Sequence, residues 1–236
     1  MEKIKVYFFP YAGGSASAYL SWKKYIDNII EMKPIELAGH GKRISEPLYK
    51  SIDEAVIDIY SRISHELDEG PYAFYGHSMG TILAYELIRK IRLNNKKEPI
   101  HVFFSGRFPP YVEDAYKMGN DYSDEQIFER LIDVVGTKIQ INNNKEIRDF
   151  LFPILLSDYN IVQKYDYNQE IVNLNCGISI LNGNQDSYFP HEYLQLWRKC
   201  TSRECSFYEF EGDHFFINQH KKEVSDIINK TLQKLI

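Results

Sequence analysis

The sequence predicts an α/β fold: a mostly parallel sheet with helices on both faces and a block of helices inserted late in the chain. Three observations carry that prediction. Up to Gly106 the chain alternates short apolar runs with longer segments of helical periodicity. From Arg107 to about Asn173 the alternation breaks and only helical patterns are seen. After Gly177 strand and helix alternate again to the end. The expected organisation is one domain over 1–236, with 107–173 an inserted helical lid.

Ile4 to Phe9 is a mainly apolar strand that runs into Pro10-Tyr11-Ala12-Gly13-Gly14-Ser15-Ala16-Ser17. A helix is expected from about Ser17 to Ile30, with Tyr19, Trp22, Ile26 and Ile29 on one face. A second strand, Lys33 to Leu37, leads into the loop Ala38-Gly39-His40-Gly41-Lys42-Arg43. Ser51 and Glu54 make a capping box ahead of the stripe Ile52, Val56, Ile59, Ile63 and Leu67, which Gly70-Pro71 stops. Tyr72 to Tyr75 is a strand, and Thr81 onward is a helix ending near Asn94-Asn95. Pro99 to Gly106 is a buried-type strand.

In the insertion, Ser123 with Gln126 caps a helix through Val135, which Gly136 ends. Thr137 to Asn144 is a polar turn. Lys145 to about Tyr165 is helical, and Pro153 is expected to kink or divide it. Gly177 to Leu181 is a strand, Pro190 opens a helix with Tyr193, Leu194 and Trp197, and Ser206 to Phe210 is the last strand. The final helix turns Val224, Ile227, Ile228 and Leu232 inward.

Gly76-His77-Ser78-Met79-Gly80 lies between a strand and a helix and fits G-x-S-x-G. A serine in so tight a turn needs neighbours without side chains, and Gly76 and Gly80 meet that need. Ser78 then stands at a helix N-terminus, where free N–H groups receive negative charge. A serine hydroxyl needs a base. Among seven histidines, His214 follows the last strand, at the sheet edge where Ser78 belongs, and is the choice for general base. His40, in another strand-end loop, stays open. His77 is adjacent to Ser78, but the turn should send its ring away; His65, His101, His191 and His220 sit on helices or at the wrong strand end. Asp186, after the penultimate strand, is the carboxylate expected to orient His214. Asp213, Asp158 and Asp166 rank below it. The order Ser…Asp…His is that of α/β-hydrolases. An oxyanion hole is expected from the backbone N–H of Met79 and from the first-strand loop, where Ala12 precedes Gly13-Gly14.

Composition narrows the partners. Hydrophobic residues make 44% and charged residues 26% of 236, an ordinary globular balance with room for a core. The net charge of −5 argues against nucleic acid. Cys176, Cys200 and Cys205 fit neither an even disulfide set nor a metal spacing, so reduced cytosolic thiols are expected. No apolar run approaches the ~18 residues that span a membrane.

Taken together, the stretches Phe9-Pro10-Tyr11-Ala12-Gly13-Gly14-Ser15-Ala16, Glu36 to Arg43 with Glu46-Pro47, Gly76 to Gly80, Ser105 to Pro110 and Gly212-Asp213-His214-Phe215-Phe216 resemble the type II thioesterases of nonribosomal peptide and polyketide synthesis. The family loop usually reads L-P-G-R-G; here Ala38 and His40 replace its proline and arginine. Asp213 stands where glycine is frequent before the base.

The resemblance implies an α/β-hydrolase with the triad Ser78, Asp186 and His214 and the oxyanion donors Ala12 and Met79. It implies hydrolysis of acyl groups from the phosphopantetheine thiol of carrier proteins, with no cofactor or metal of the enzyme's own. The expected partners are acyl- or peptidyl-carrier domains, met by a cytoplasmic monomer. Lys42, Arg43 and Arg107 are candidates for a basic docking face, and Phe108, Tyr111, Phe128, Phe150 and Tyr159 for the acyl pocket. The competing readings are a carboxylesterase or lipase, an acyl transferase or cyclase, and a catalytically dead carrier-binding module.

Overall fold

The computed structural model describes residues 3–112, 122–134, 144–166, 170–189 and 191–235. Among them are six strands, β1 (Ile4–Phe9), β2 (Ile30–Pro34), β3 (Tyr72–His77), β4 (His101–Ser105), β5 (Gly177–Gly183) and β6 (Cys205–Phe210). They form one sheet in the order β2-β1-β3-β4-β5-β6. Every pair is parallel. The helices are α1 (Ile52–Ile63), α2 (Met79–Leu93), α3 (Asp124–Val134), α4 (Lys145–Gln163), α5 (His191–Leu194) and α6 (Lys221–Gln233).

Strand alternation sorts the core onto two faces. Tyr7, Phe9, Phe74, Val102, Phe104 and Ile180 pack with α1 and α2 in one cluster. Ile4, Val6, Phe8, Tyr75, Phe103 and Leu181 pack with Tyr19, Trp22 and the apolar face of α6 in the other. A parallel sheet covered on both sides leaves its C-terminal edge as the place where loops gather.

Two local expectations are corrected. The first connection is a short 3₁₀ helix, Ala16–Lys24, and β2 begins at Ile30 rather than Lys33. Asp27 stops the helix: its side chain accepts from the Ile29 N–H (3.0 Å) and its carbonyl from the Ile30 N–H (3.0 Å). α4 runs undivided through Pro153. The carbonyl four residues earlier belongs to Asp149, which is exposed, so solvent can serve the acceptor that the proline leaves free.

The capping expectations fare better. Ser51 Oγ accepts from the Glu54 N–H (3.1 Å), although Glu54 reaches back to the Lys50 N–H (2.7 Å) rather than to that of Ser51. Ser123 and Gln126 cap α3 reciprocally, with the Ser123 N–H donating to Gln126 Oε1 (2.9 Å) and the Gln126 N–H to Ser123 Oγ (3.3 Å). Gly136, Thr137 to Asn143 and Pro190 lie outside the described residues.

His101 begins β4, at the edge away from the loops, buried with Nε2 2.9 Å from Ser179 Oγ. Burial pushes its pKa down to about 4. The unfolded chain therefore binds a proton below about pH 6.5 that the folded chain refuses until about pH 4. This contribution is fully present above pH 6.5 and is lost as pH falls through that window, by at most about 3 kcal/mol. His101→Gln should flatten the fall in melting temperature between pH 7 and about pH 4.5. Equal slopes in the two proteins would exclude His101 as the source.

Candidate active site

Ser78 joins β3 to α2 with φ 54° and ψ −116°, a backbone region that side-chain-bearing residues avoid. Neighbouring groups hold it there. Its N–H donates to the Ser105 carbonyl (2.9 Å), and its own carbonyl accepts from the Thr81 N–H (3.0 Å). The Thr81 hydroxyl lies within hydrogen-bond distance of the carbonyls of Gly76 (2.9 Å) and Ser105 (3.1 Å). The two glycines are required by contact. A Cβ on Gly76 would strike the Gly80 backbone, and one on Gly80 would strike the Phe9 carbonyl. That second contact presses the start of α2 against the end of β1. Ser78 is part-exposed, while His77 beside it is fully buried.

His214 follows β6 and Asp186 follows β5, and the Nδ1–H of His214 donates to Asp186 Oδ2 at 2.8 Å. Both residues are buried. The other carboxylate oxygen, Oδ1, accepts from the N–H groups of Tyr188 (3.0 Å) and Phe189 (3.2 Å), which locks its orientation. The two loops are knitted together by Asn184 N–H to Phe210 O (2.8 Å) and Gln185 N–H to Gly212 O (2.9 Å). Asp213 is exposed and accepts from the Phe215 N–H (2.8 Å), shaping the turn that carries His214.

The imidazole of His214 lies 5.0 Å from the His77 ring and 5.3 Å from Phe189. Gly106 leaves the space they occupy: with φ 61°, its Cβ would sit 2.6 Å from His77 Cε1 and 3.3 Å from His214 Cε1. His77 shares a 2.8 Å hydrogen bond with Ser105 Oγ, and burial holds its pKa well below the ordinary value, with the neighbouring His214 adding to the effect. It is a neutral neighbour of His214. No hydrogen bond joins Ser78 to His214 here, a looseness common in unliganded sites.

The loop after β1 folds as a turn closed by the Gly14 N–H on the Tyr11 carbonyl (2.8 Å), with Gly13 at φ 73°. The N–H groups of Ala12 and Met79 have no acceptor among the described residues. The insertion sits directly on this turn. Leu155 of α4 is so close that a Cβ on Gly13 would lie 2.9 Å from its Cδ1, and Ala12 packs against the cluster Phe128, Ile132 and Leu155. Asp158 of α4 accepts from the Gly13 N–H (2.8 Å) and meets His40 Nε2 (2.9 Å). His40 is therefore paired with Asp158, whereas His214 has Asp186. Asp158 sits on the buried stripe of Ile154, Leu155, Ile161 and Val162, where an acid demands a partner.

Several expectations change. Arg43 is a structural cation, bound to Asp58 (2.7 Å) and Glu46 (2.8 Å). Arg107 is buried and stacks over Phe189. Of the three proposed docking cations only Lys42 is exposed. Phe150 is 54% exposed, whereas Phe108, Phe128 and Tyr159 are buried. His65 lies in the turn after α1. All three cysteines are free, and burial pushes the Cys176 and Cys200 thiols up to about 12. Among the described residues no group of His, Cys, Asp or Glu is arranged to hold a metal ion, and no helix is long and apolar enough to cross a membrane.

Comparison with known proteins agrees with this architecture. The chain is 31% identical to linear gramicidin dehydrogenase LgrE of Brevibacillus parabrevis, over 99% of this chain and 89% of that protein. It is 31% identical to the gramicidin S biosynthesis protein GrsT of Aneurinibacillus migulanus, over 99% and 91%. The crystal structure of ClbQ from the colibactin NRPS/PKS pathway superposes with a TM-score of 0.93 at 32% identity, covering 99% of this chain and 98% of that one. Residues 4–232 match the thioesterase domain family, and with the sheet order and the strained Ser78 turn between β3 and α2 the chain belongs to the thioesterases of α/β-hydrolase fold.

Proposed function

We propose that this chain is a stand-alone thioesterase that removes acyl groups from the phosphopantetheine thiol of carrier proteins, with Ser78 as nucleophile, His214 as general base and Asp186 as its orienting carboxylate. The observation that carries the proposal is the buried 2.8 Å His214–Asp186 hydrogen bond beside a serine held at φ 54°. Similarity to GrsT and to ClbQ supports the substrate class, since those proteins are named for gramicidin S biosynthesis and for the colibactin NRPS/PKS pathway.

In this reading Ser78 Oγ attacks the thioester carbonyl while His214 Nε2 takes its proton. Asp186 fixes the Nδ1–H tautomer and stabilises the imidazolium. The N–H groups of Ala12 and Met79 receive the oxyanion. The thiol leaves with the proton from His214, and a thiol near pKa ~8.5 needs less help than an alcohol. Water then attacks the acyl-serine with His214 as base again, releasing the acid. Helices α3 and α4, within the 107–173 insertion, form the lid over this corner, and the sheet and lid make one domain.

Ser78→Ala should fold normally and form no acyl adduct on incubation with an acyl-thioester, with kcat/KM reduced by about 10³ or more. Intact-mass analysis reads this directly, and a wild-type-like adduct on the variant would remove Ser78 from the mechanism.

For the substrate class, kcat/KM should be higher for an acyl-carrier protein than for a matching oxygen ester. Lys42→Glu should raise KM roughly two- to tenfold for the acyl-carrier protein and leave a small acyl-thioester unchanged. A better oxygen ester would move the chain to the carboxylesterases, and equal effects of Lys42→Glu on both thioesters would exclude docking at that loop.

A further inference from the structure

We infer that Asp158 and His40 are positioning residues for the oxyanion hole, fixing the Ala12–Gly13 turn through the lid helix. The inference rests on the assignment of Ser78 and Ala12 above. Its starting point is a second buried His–Asp pair that the triad does not use.

The hydrogen-bond pattern determines the protons. His40 Nδ1 is 2.9 Å from the Ala38 carbonyl oxygen, which can only accept, so Nδ1 carries a hydrogen. His40 Nε2 is 2.9 Å from Asp158 Oδ2. That same oxygen accepts the Gly13 N–H at 2.8 Å. Two acceptors facing one imidazole, with a third donor arriving at the carboxylate, require one proton between Nε2 and Oδ2. A raised His40 pKa favours that proton on the imidazole, paired with the carboxylate. Burial opposes the charge on His40, but the hydrogen bond and charge of Asp158 outweigh it and hold the pKa above the ordinary value, with Glu36 adding to the effect. Both side chains are almost wholly buried, at 1% and 3% exposure.

The pair joins three elements. His40 belongs to the loop after β2, Asp158 to α4 in the insertion, and Gly13 to the turn after β1. Glu36 ties the two strand-end loops together, Oε1 accepting from the Ala16 N–H (2.9 Å) and Oε2 from the Lys42 N–H (3.1 Å). The Gly13 peptide is thus held from the lid side by Asp158 and Leu155, and the turn is closed by the Tyr11–Gly14 bond. Gly13 is left-handed and has no side chain to anchor it, so the acceptor of its N–H bears on the tilt of its peptide. An oxyanion donor works only when it is aimed at the position the oxygen takes in the transition state. The lid helix therefore does more than cover the site: docked α4 completes the hole, and α4 lifted away leaves the turn without its anchor.

A positioning role separates from a structural one in the kinetics. With a small acyl-thioester, Asp158→Ala should lower kcat about tenfold to a hundredfold while KM changes less than about twofold. Affinity for an alkylboronic acid, whose serine adduct places an oxygen in the hole, should fall by the same factor. Asp158→Asn keeps an oxygen for the Gly13 N–H and should recover most of the rate.

The double variant His40→Leu with Asp158→Val replaces the ion pair by apolar groups, an exchange that often preserves stability. It should melt near the wild type yet keep the kcat defect. Wild-type kcat in that stable double variant would overturn the inference. So would an Asp158→Asn protein as slow as Asp158→Ala, or a loss of kcat without a matching loss of boronate affinity. The assignment of Ser78 is read separately: if Ser78→Ala still forms the acyl adduct that reading fails, and if only the Asp158 variants behave as wild type this inference alone fails.

Discussion

The backbone of Ser78 is the constraint from which the rest of the site follows. A non-glycine residue at φ 54° and ψ −116° costs about 1–3 kcal/mol, and only neighbours that over-determine the turn can hold it. Those neighbours come from two strands and a helix. β4 supplies the Ser105 carbonyl, α2 supplies Thr81, and β1 comes so close that residue 80 must lack a side chain. The same closeness sets the end of β1, from which the Tyr11–Gly14 turn departs, against the start of α2. The strain at one residue and the convergence of the chain at the sheet edge are therefore one arrangement. It works because β3 lies inside the sheet, between β1 and β4.

Much of this was legible in the sequence, for identifiable reasons. Strand-to-helix switching in periodicity located the sheet, and the glycines of G-x-S-x-G have a steric meaning that survives without coordinates. Topology then did the rest: in a parallel sheet the residues following β5 and β6 must reach the same edge, so Asp186 and His214 could be paired from their order. Local turns were harder. Asp27 ended the first helix early through two short-range hydrogen bonds, which an apolar spacing pattern does not register. Side-chain partnerships across distant elements were not legible at all. Arg43 looked like a free surface cation until Asp58 was placed beside it, and Asp158 looked like a weaker triad acid until it was found on Gly13.

The two buried His–Asp pairs show how one chemical motif serves two ends. Asp186 uses one oxygen on the N–H groups of Tyr188 and Phe189 and presents the other to His214 Nδ1, which leaves the Nε2 of His214 uncommitted to the carboxylate. Asp158 meets the opposite nitrogen of His40, whose Nδ1 is already committed to a carbonyl, so no nitrogen is left to accept a proton from substrate. Which ring nitrogen the carboxylate occupies, and what holds the other, separates a ring with a nitrogen to spare from one with both committed. His77 belongs to neither class: buried and low in pKa, it offers His214 a neutral neighbour and spares it the repulsion of a second cation.

The burial of the cysteines has a consequence for an enzyme whose leaving group is a thiol. Disulfide exchange proceeds through thiolate, and the reactive fraction shrinks as the pKa climbs above ambient pH. Burial pushes Cys176 and Cys200 up to about 12 and Cys205 to about 11, so each stays protonated at neutral pH. A thiol released by a thioesterase, or its oxidised dimer, meets no thiolate among these three cysteines with which to form a mixed disulfide. The scaffold can release thiols turnover after turnover without being captured by its own product.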